Sequence, residues 1–109
     1  MSRAKGNLAE EKASEFLLES GYSVLERNFY SRFGEIDIIA IKDEVVHFVE
    51  VKSGVDYESA VQNITPQKLS RLTKTVDTYR KKNSLDLDFM MDAIIVTPKN
   101  IEHIQNITL

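Results

Sequence analysis

The chain has 109 residues, of which 42% are hydrophobic and 28% are charged, and its formal net charge is -3. This length fits a single domain spanning residues 1–109 and is too short for two independent cores. The absence of cysteine excludes a disulfide scaffold and a thiolate metal site, and it is typical of the reducing cytoplasm. Residues 1–6 lack the apolar run of a secretory signal, and no segment reaches membrane-spanning length. We therefore expect a cytoplasmic protein with no membrane partner.

Apolar spacing and turn residues predict a mixture of helices and strands. In chain order, we expect a helix at about 5–20, strands at 22–29, 34–41 and 45–52, a helix beginning at 66, a strand at 90–96 and a weaker strand at 101–109. Gly21 is expected to end the first helix, and Thr65 followed by Pro66 to begin the second. The second helix should bury a stripe made of Leu69, Leu72, Val76 and Tyr79. This order favours an α/β fold in which helices flank a mixed central β-sheet.

Two acidic residues lie inside the apolar runs of the predicted hairpin. With a two-residue loop at 43–44, counting back along both strands sets Asp37 opposite Glu50. Directly opposed side chains lie about 5 Å apart, and like charges at that distance destabilise a sheet, so this pair requires a cation. Because both ligands would be carboxylate oxygens, a hard ion such as Mg2+ or Mn2+ is favoured over Zn2+.

The same register leaves a structural alternative open. It sets Glu35 opposite Lys52, so these two residues could form a salt bridge. Asp37 and Glu50 would then be solvated at a frayed strand end, and no metal would be needed.

Strand alternation assigns the hairpin side chains to two faces. One face carries Asp37, Ile39, Ile41, Val46, Phe48, Glu50 and Lys52, and the other carries Ile36, Ile38, Val49 and Val51. Both faces are apolar, as in central strands that are covered on each side. His47 points away from the carboxylates, where we expect a hydrogen-bonded core histidine rather than a metal ligand. His103 is given no role.

The chain resembles known nucleases in these residues. Asp37, a spacer and the run Glu50-Val51-Lys52, preceded by Glu10 in the first helix, are similar to the catalytic pattern of the restriction-endonuclease-like nucleases. More closely, the chain resembles the bacterial YraN-like family at Gly6 to Glu10, Ala13, Gly21-Tyr22, Arg27-Asn28, Gly34 to Ala40, Phe48 to Lys52 and Lys68. That family is usually described as predicted endonucleases related to archaeal Holliday-junction resolvases. The chain departs from it after Ser53, because Gly54 occupies a position where arginine is common.

The resemblance implies a restriction-endonuclease-like α-β-β-β-α-β core. It also implies a nuclease that uses Mg2+ or Mn2+ to hydrolyse phosphodiester bonds in DNA, branched DNA included. The implied catalytic residues are Glu10, Asp37, Glu50 and Lys52, and the implied metal ligands are Asp37, Glu50 and the backbone carbonyl of Val51. Glu35, Lys68 and Arg71 are expected to support these residues or to contact the substrate. Analogy with the resolvases also implies a homodimer.

Charge is distributed unevenly along the chain. Residues 66–83 carry Lys68, Arg71, Lys74, Arg80, Lys81 and Lys82 against Asp77 alone, whereas residues 1–65 are net acidic. The basic helix could contact phosphates or be a solvated face, and a net charge of -3 is unusual for a nucleic-acid-binding protein. Two alternatives therefore stay open. One is a non-catalytic nucleic-acid-binding or protein-interaction module with the nuclease fold, and the other is an enzyme that acts on a different phosphoester.

Overall fold

The computed structural model of the protein describes the backbone of residues 2–107 and the side chains of residues 8–107. In chain order its elements are α1 (Ser2–Glu19), β1 (Ser23–Ser31), β2 (Gly34–Lys42), β3 (Val45–Ser53), α2 (Tyr57–Val61), α3 (Pro66–Lys82), β4 (Asp88–Val96) and β5 (Ile101–Ile104). Within these residues the strands form one sheet in the order β1-β2-β3-β4-β5. The β3–β4 pair is parallel and the other neighbours are antiparallel. None of the described helices is long and apolar enough to cross a membrane.

The two long helices pack on different apolar clusters of the sheet. α1 contributes Ala9, Ala13 and Leu17 to a core with Ile38, Ala40, Val49, Val51, Ile94 and Val96. α3 contributes Leu72, Val76 and Tyr79 to a core with Phe29, Ile36, Ile39, Val46, Phe48 and Met91. Three of the four residues of the predicted α3 stripe are therefore buried, and Leu69 is half-buried. The predicted mixed sheet with flanking helices is confirmed.

The predicted hairpin register is confirmed from the loop as far as the middle of both strands. Lys42 pairs with Val45 and Ile38 pairs with Val49. The loop residues Asp43 and Glu44 have φ angles of 53° and 64°, which a two-residue turn matched to the strand twist requires. The regular ladder ends at Ile38. Asp37 and Glu50 were predicted to lie opposite each other, as were Glu35 and Lys52. Both pairs lie past the end of the observed backbone pairing between β2 and β3.

One side chain of the hairpin lies on a different face from the prediction. Alternation placed Ile36 with Ile38 on the face that α1 covers, but Ile36 packs in the cluster under α3. The alternation of β2 breaks at Asp37, next to the point where the ladder with β3 ends. Ile36 pairs there with Phe29 of β1, which belongs to the same α3 cluster.

The stretch 53–65, which carried no predicted element, contains the short helix α2. The Asp56 side chain caps it by accepting a hydrogen bond of 2.8 Å from the N–H of Ser59. Ala60 is its buried residue, so the helix produces almost no apolar periodicity in the sequence. The predicted α-β-β-β-α-β core is thus interrupted by one helix that was not predicted, and the weaker strand predicted after it is present as β5.

Several predicted boundaries also differ from those observed. β1 ends two residues after the predicted 29, β4 begins two residues before the predicted 90, and β5 ends at Ile104 instead of continuing to 109. Residues 108–109 of that prediction lie outside the described residues. Gly21 ends α1 as predicted, with a φ of 92° that residues other than glycine rarely adopt.

Candidate active site

Asp37 is the most buried acidic residue of the predicted site. Only 6% of its surface is exposed, and its Oδ2 accepts a hydrogen bond of 2.7 Å from the backbone N–H of Val51. Burial, a hydrogen bond to Glu50 and the charge of Glu50 raise the pKa of Asp37 to about 9. At neutral pH and without a metal ion, the Asp37 carboxyl therefore keeps its proton. A divalent cation has the charge and the oxygen preference to replace that proton.

Two more predicted acids meet on the amide of Asn28. Its Nδ2 donates hydrogen bonds to Oε1 of Glu10 at 2.9 Å and to Oε2 of Glu35 at 3.1 Å. Asn28 has a φ of 54°, a conformation that asparagine tolerates better than most residues. Burial raises the pKa of Glu10, the Asn28 bond opposes this, and the charges of Asp37 and Glu35 raise it further. The structure therefore brings all four predicted acids into one electrostatic cluster.

Arg27 on β1 forms ion pairs with two acids of α1, Glu10 and Glu11. Its Nη2 lies 3.8 Å from Oε1 of Glu10, and its Nη1 donates to both carboxylate oxygens of Glu11 at 3.2 and 3.3 Å. The charge of Arg27 lowers the pKa of Glu10, although burial and the neighbouring acids outweigh it. Arg27 and Asn28 belonged to the residues that carried the family resemblance, but the sequence analysis assigned them no role in the site.

A pocket of about 190 Å³ joins the acidic cluster to the basic helix. Its lining consists of Gly34, Glu35, Glu50, Lys68, Arg71 and Leu72. The predicted residues Lys68 and Arg71 therefore face two of the predicted acids, although they lie in a different helix. Acidic groups on one wall and cations on the other can hold a divalent ion and a phosphate side by side.

Lys52 is half-buried and lies two residues after Glu50 on β3. Strand alternation puts both side chains on the same face. Among the described residues, no ion pair joins Lys52 to Glu35 or to any other acid. The Glu35–Lys52 salt bridge, on which the structural alternative to a metal site depends, is therefore not formed.

Gly54 lies close to the backbone of α2. A Cβ atom on Gly54 would lie 3.0 Å from the backbone nitrogen of Ala60, so a side chain at this position would need α2 or the end of β3 to shift by a few tenths of an ångström. Lys68 and Arg71 are the cations that line the acidic pocket.

A second group of titratable residues lies in the sheet and was not predicted. Oδ2 of Asp92 lies 2.5 Å from Nδ1 of His47 and 2.7 Å from Nε2 of His103, and the three residues could hold a metal ion. Burial raises the pKa of Asp92, but hydrogen bonds from His103 and His47 outweigh burial, so the net shift is downward. His47 is a buried, hydrogen-bonded histidine, as expected. The group was missed because its members are far apart in sequence and only the sheet register brings them together.

Comparison with known proteins was consistent with the resemblance seen in the sequence. The model of the uncharacterised protein family UPF0102 matches residues 9–96. A UPF0102 protein of Sulfurimonas denitrificans is 71% identical over 109 residues, which cover all of both chains. UPF0102 proteins of Wolinella succinogenes and Aliarcobacter butzleri are 52% and 49% identical, again over the full length of both chains. None of these names states an activity.

Proposed function

Because the chain belongs to the uncharacterised protein family UPF0102, whose name gives no activity, we propose a function from the site itself: metal-dependent hydrolysis of phosphodiester bonds in DNA, branched DNA included. The observation that carries the proposal is the buried Asp37 carboxyl, whose pKa is raised by burial and by Glu50, beside a pocket lined by Glu50, Lys68 and Arg71. A buried acid next to a second carboxylate is costly unless a cation or a proton neutralises it. The proposal is therefore that the pair is kept for its ability to bind a metal ion.

The proposed ligands are Asp37, Glu50 and the backbone carbonyl of Val51. All are oxygen donors, which suits Mg2+ or Mn2+. When bound, the ion would polarise the scissile phosphate and lower the pKa of a water molecule. The hydrogen bond from the N–H of Val51 fixes the Asp37 carboxylate in advance, so one ligand needs little reorganisation before an ion binds.

The remaining residues have proposed roles on the protein side of the reaction. Lys52 would orient the attacking water or stabilise the negative charge that develops on the phosphate. Arg71 and Lys68 would hold the phosphate backbone, since a guanidinium binds phosphate through two parallel hydrogen bonds. Glu10 would complete the site by binding a water or a second ion, and Glu35 would hold Asn28 and thereby Glu10 in place.

A second candidate is a non-catalytic module that binds nucleic acid or protein through the same fold. Two observations favour it: the net charge of -3, and Gly54 in the position where the family resemblance leads us to expect an arginine. Such a module would bind its partner equally well when Asp37 is replaced. It would also show no cleavage with any divalent ion.

The test is a cleavage screen on single-stranded, duplex, flap and four-way DNA with Mg2+, Mn2+ or a chelator. Wild type should cleave at least one substrate in a metal-dependent manner. Asp37→Asn and Glu50→Gln should abolish that cleavage, whereas Glu15→Gln, which neutralises an exposed acid on α1, should leave it unchanged. Equal cleavage by wild type and Asp37→Asn would contradict the assignment of Asp37 as a metal ligand of the catalytic site.

A further inference from the structure

The His47–Asp92–His103 group spans three neighbouring strands. Nδ1 of His47 on β3 and Nε2 of His103 on β5 both lie within hydrogen-bond distance of Oδ2 of Asp92 on β4, at 2.5 and 2.7 Å. The three ligand atoms all lie within 4.8 Å of one another. Asp92 is fully buried, and the side chains of His47 and His103 are 6% and 10% exposed. The group is thus a compact set of imidazole and carboxylate donors with an opening at His103.

The surrounding residues hold these donors in place. The second carboxylate oxygen of Asp92 accepts a hydrogen bond of 3.1 Å from the backbone N–H of Asn106. The ring of Tyr22 makes edge contacts with both imidazoles, at 5.0 Å to His47 and 5.7 Å to His103. These contacts restrict the orientation of the two imidazole rings and the carboxylate. Metal ligands in known sites are oriented by neighbouring residues in the same way.

We propose that His47, Asp92 and His103 form a Zn2+-binding site that fastens β5 to β3 and β4. Imidazole nitrogen and carboxylate oxygen are preferred donors for Zn2+, and three protein ligands leave one tetrahedral position for water. A hard ion such as Mg2+ binds oxygen donors and would not compete for this site. The chain has no cysteine, so histidine and carboxylate are the side chains available to it for a Zn2+ site.

The present distances are compatible with ion binding after a small expansion. Two donors at the usual Zn–N and Zn–O distances of a tetrahedral site lie about 3.4 Å apart. The two contacts to Asp92 would therefore each open by less than about 1 Å. Each neutral imidazole would change tautomer when the ion binds: the proton on the nitrogen that faces Asp92 would move to the other ring nitrogen, and the freed lone pair would bind the ion.

This site is separate from the carboxylate pocket. His47 precedes Glu50 by three residues on β3, which corresponds to about 10 Å along the strand. An odd separation also places the two side chains on opposite faces. The inference therefore goes beyond the proposed nuclease activity and does not depend on it.

The experiment is calorimetric titration of Zn2+ into tag-free Asp37→Asn protein, in which the carboxylate pocket is disabled. One ion should bind per chain, and the melting temperature should rise with Zn2+ but not with Mg2+. His103→Gln is the matched variant, because its amide can still donate to Asp92 but is a poor zinc ligand. Its affinity for Zn2+ should be at least 100-fold lower.

A second measurement keeps the test decisive if His103→Gln fails to fold. The chain contains two histidines, so their ring nitrogens give separable signals in 15N NMR. Zn2+ should shift Nδ1 of His47 and Nε2 of His103 in Asp37→Asn protein. Failure of Zn2+ to bind, unchanged affinity in His103→Gln, or unmoved histidine signals would each overturn the proposal.

Discussion

The Asp37 carboxylate accepts a hydrogen bond from the backbone N–H of Val51 at 2.7 Å, just beyond the last backbone pair of β2 and β3. A side-chain oxygen thus takes the place of a carbonyl in the ladder. The contact keeps a buried acid next to Glu50 at the point where the two strands separate. This local geometry produces both the raised pKa of Asp37 and the proposed metal site.

Asp37→Asn should stabilise the metal-free protein at neutral and alkaline pH. The pKa of Asp37 is raised to about 9, so the folded state keeps a proton that the unfolded state loses above its ordinary pKa of 3.8. Wild-type stability should therefore fall as pH rises between those values. Asparagine can still accept the Val51 bond but carries no charge, which should raise the melting temperature by several degrees and flatten its pH dependence.

Thermal melts in chelator over this pH range test that expectation. Glu15→Gln is the control, because it removes an exposed charge elsewhere on α1 and should follow wild type. A destabilised Asp37→Asn protein with wild-type pH dependence would show that Asp37 has only a structural role.

Lys52→Met should separate metal binding from catalysis. Lys52 is not a proposed ligand, so the affinity for Mn2+ should stay within a few fold of wild type. The cleavage rate should fall about 100- to 1,000-fold, as when one charge-stabilising donor is removed from an active site. Rate measurements with the substrate found in the cleavage screen, combined with Mn2+ titration, make the comparison. A variant that loses Mn2+ binding would instead assign Lys52 a role in organising the ligands.

The α3 cations should contribute to DNA binding according to their position. Lys68→Gln and Arg71→Gln each remove a charge from the pocket wall, so each should lower the slope of log affinity against log salt by about 0.9 for a duplex contact. Lys81→Gln, near the other end of α3, is the matched control and should leave the slope unchanged. The slopes are measured by fluorescence anisotropy at several salt concentrations. Three identical slopes would indicate that the helix is a solvated face.

Asn28→Gly should weaken metal binding, although it replaces none of the proposed metal ligands. Glycine accepts the positive φ of Asn28 but removes the amide that joins Glu10 to Glu35. Loss of such a supporting residue usually costs 10- to 100-fold in metal affinity or activity, and we expect a decrease of about that size for Mn2+. Calorimetric titration measures it. Unchanged affinity would place Glu10 and Glu35 outside the metal site.

The sequence predicted the hairpin and the approach of Asp37 to Glu50 because short-range rules determine both, whereas Glu10 was assigned to the site only through the family resemblance. A two-residue loop fixes the pairing, and alternation then determines which side chains approach one another. The prediction for Ile36 was wrong because alternation assumes an unbroken ladder, and the ladder ends at Ile38. The helix α2 was missed because Ala60 is its single buried residue. One buried residue produces no periodic pattern of apolar residues in the sequence.

The histidine group was not predicted, because His47 is far from Asp92 and His103 in the sequence. His47 and Asp92 come together through the parallel β3–β4 pairing, and His103 joins them through the antiparallel β4–β5 pairing. A parallel pairing connects distant parts of the chain, and no turn rule determines its register. The sequence therefore indicated a buried, hydrogen-bonded His47 but not its partner.

The most direct test of the central claim is Mn2+ titration of wild type at neutral pH, followed by calorimetry in buffers of different ionisation enthalpy. If the ion replaces the proton of the Asp37 carboxyl, binding should release close to one proton per ion, and affinity should rise as pH increases towards about 9. Asp37→Asn should bind Mn2+ far more weakly and release no proton. Equal binding by both proteins, or no Mn2+ binding by wild type, would contradict a metal site at Asp37 and Glu50.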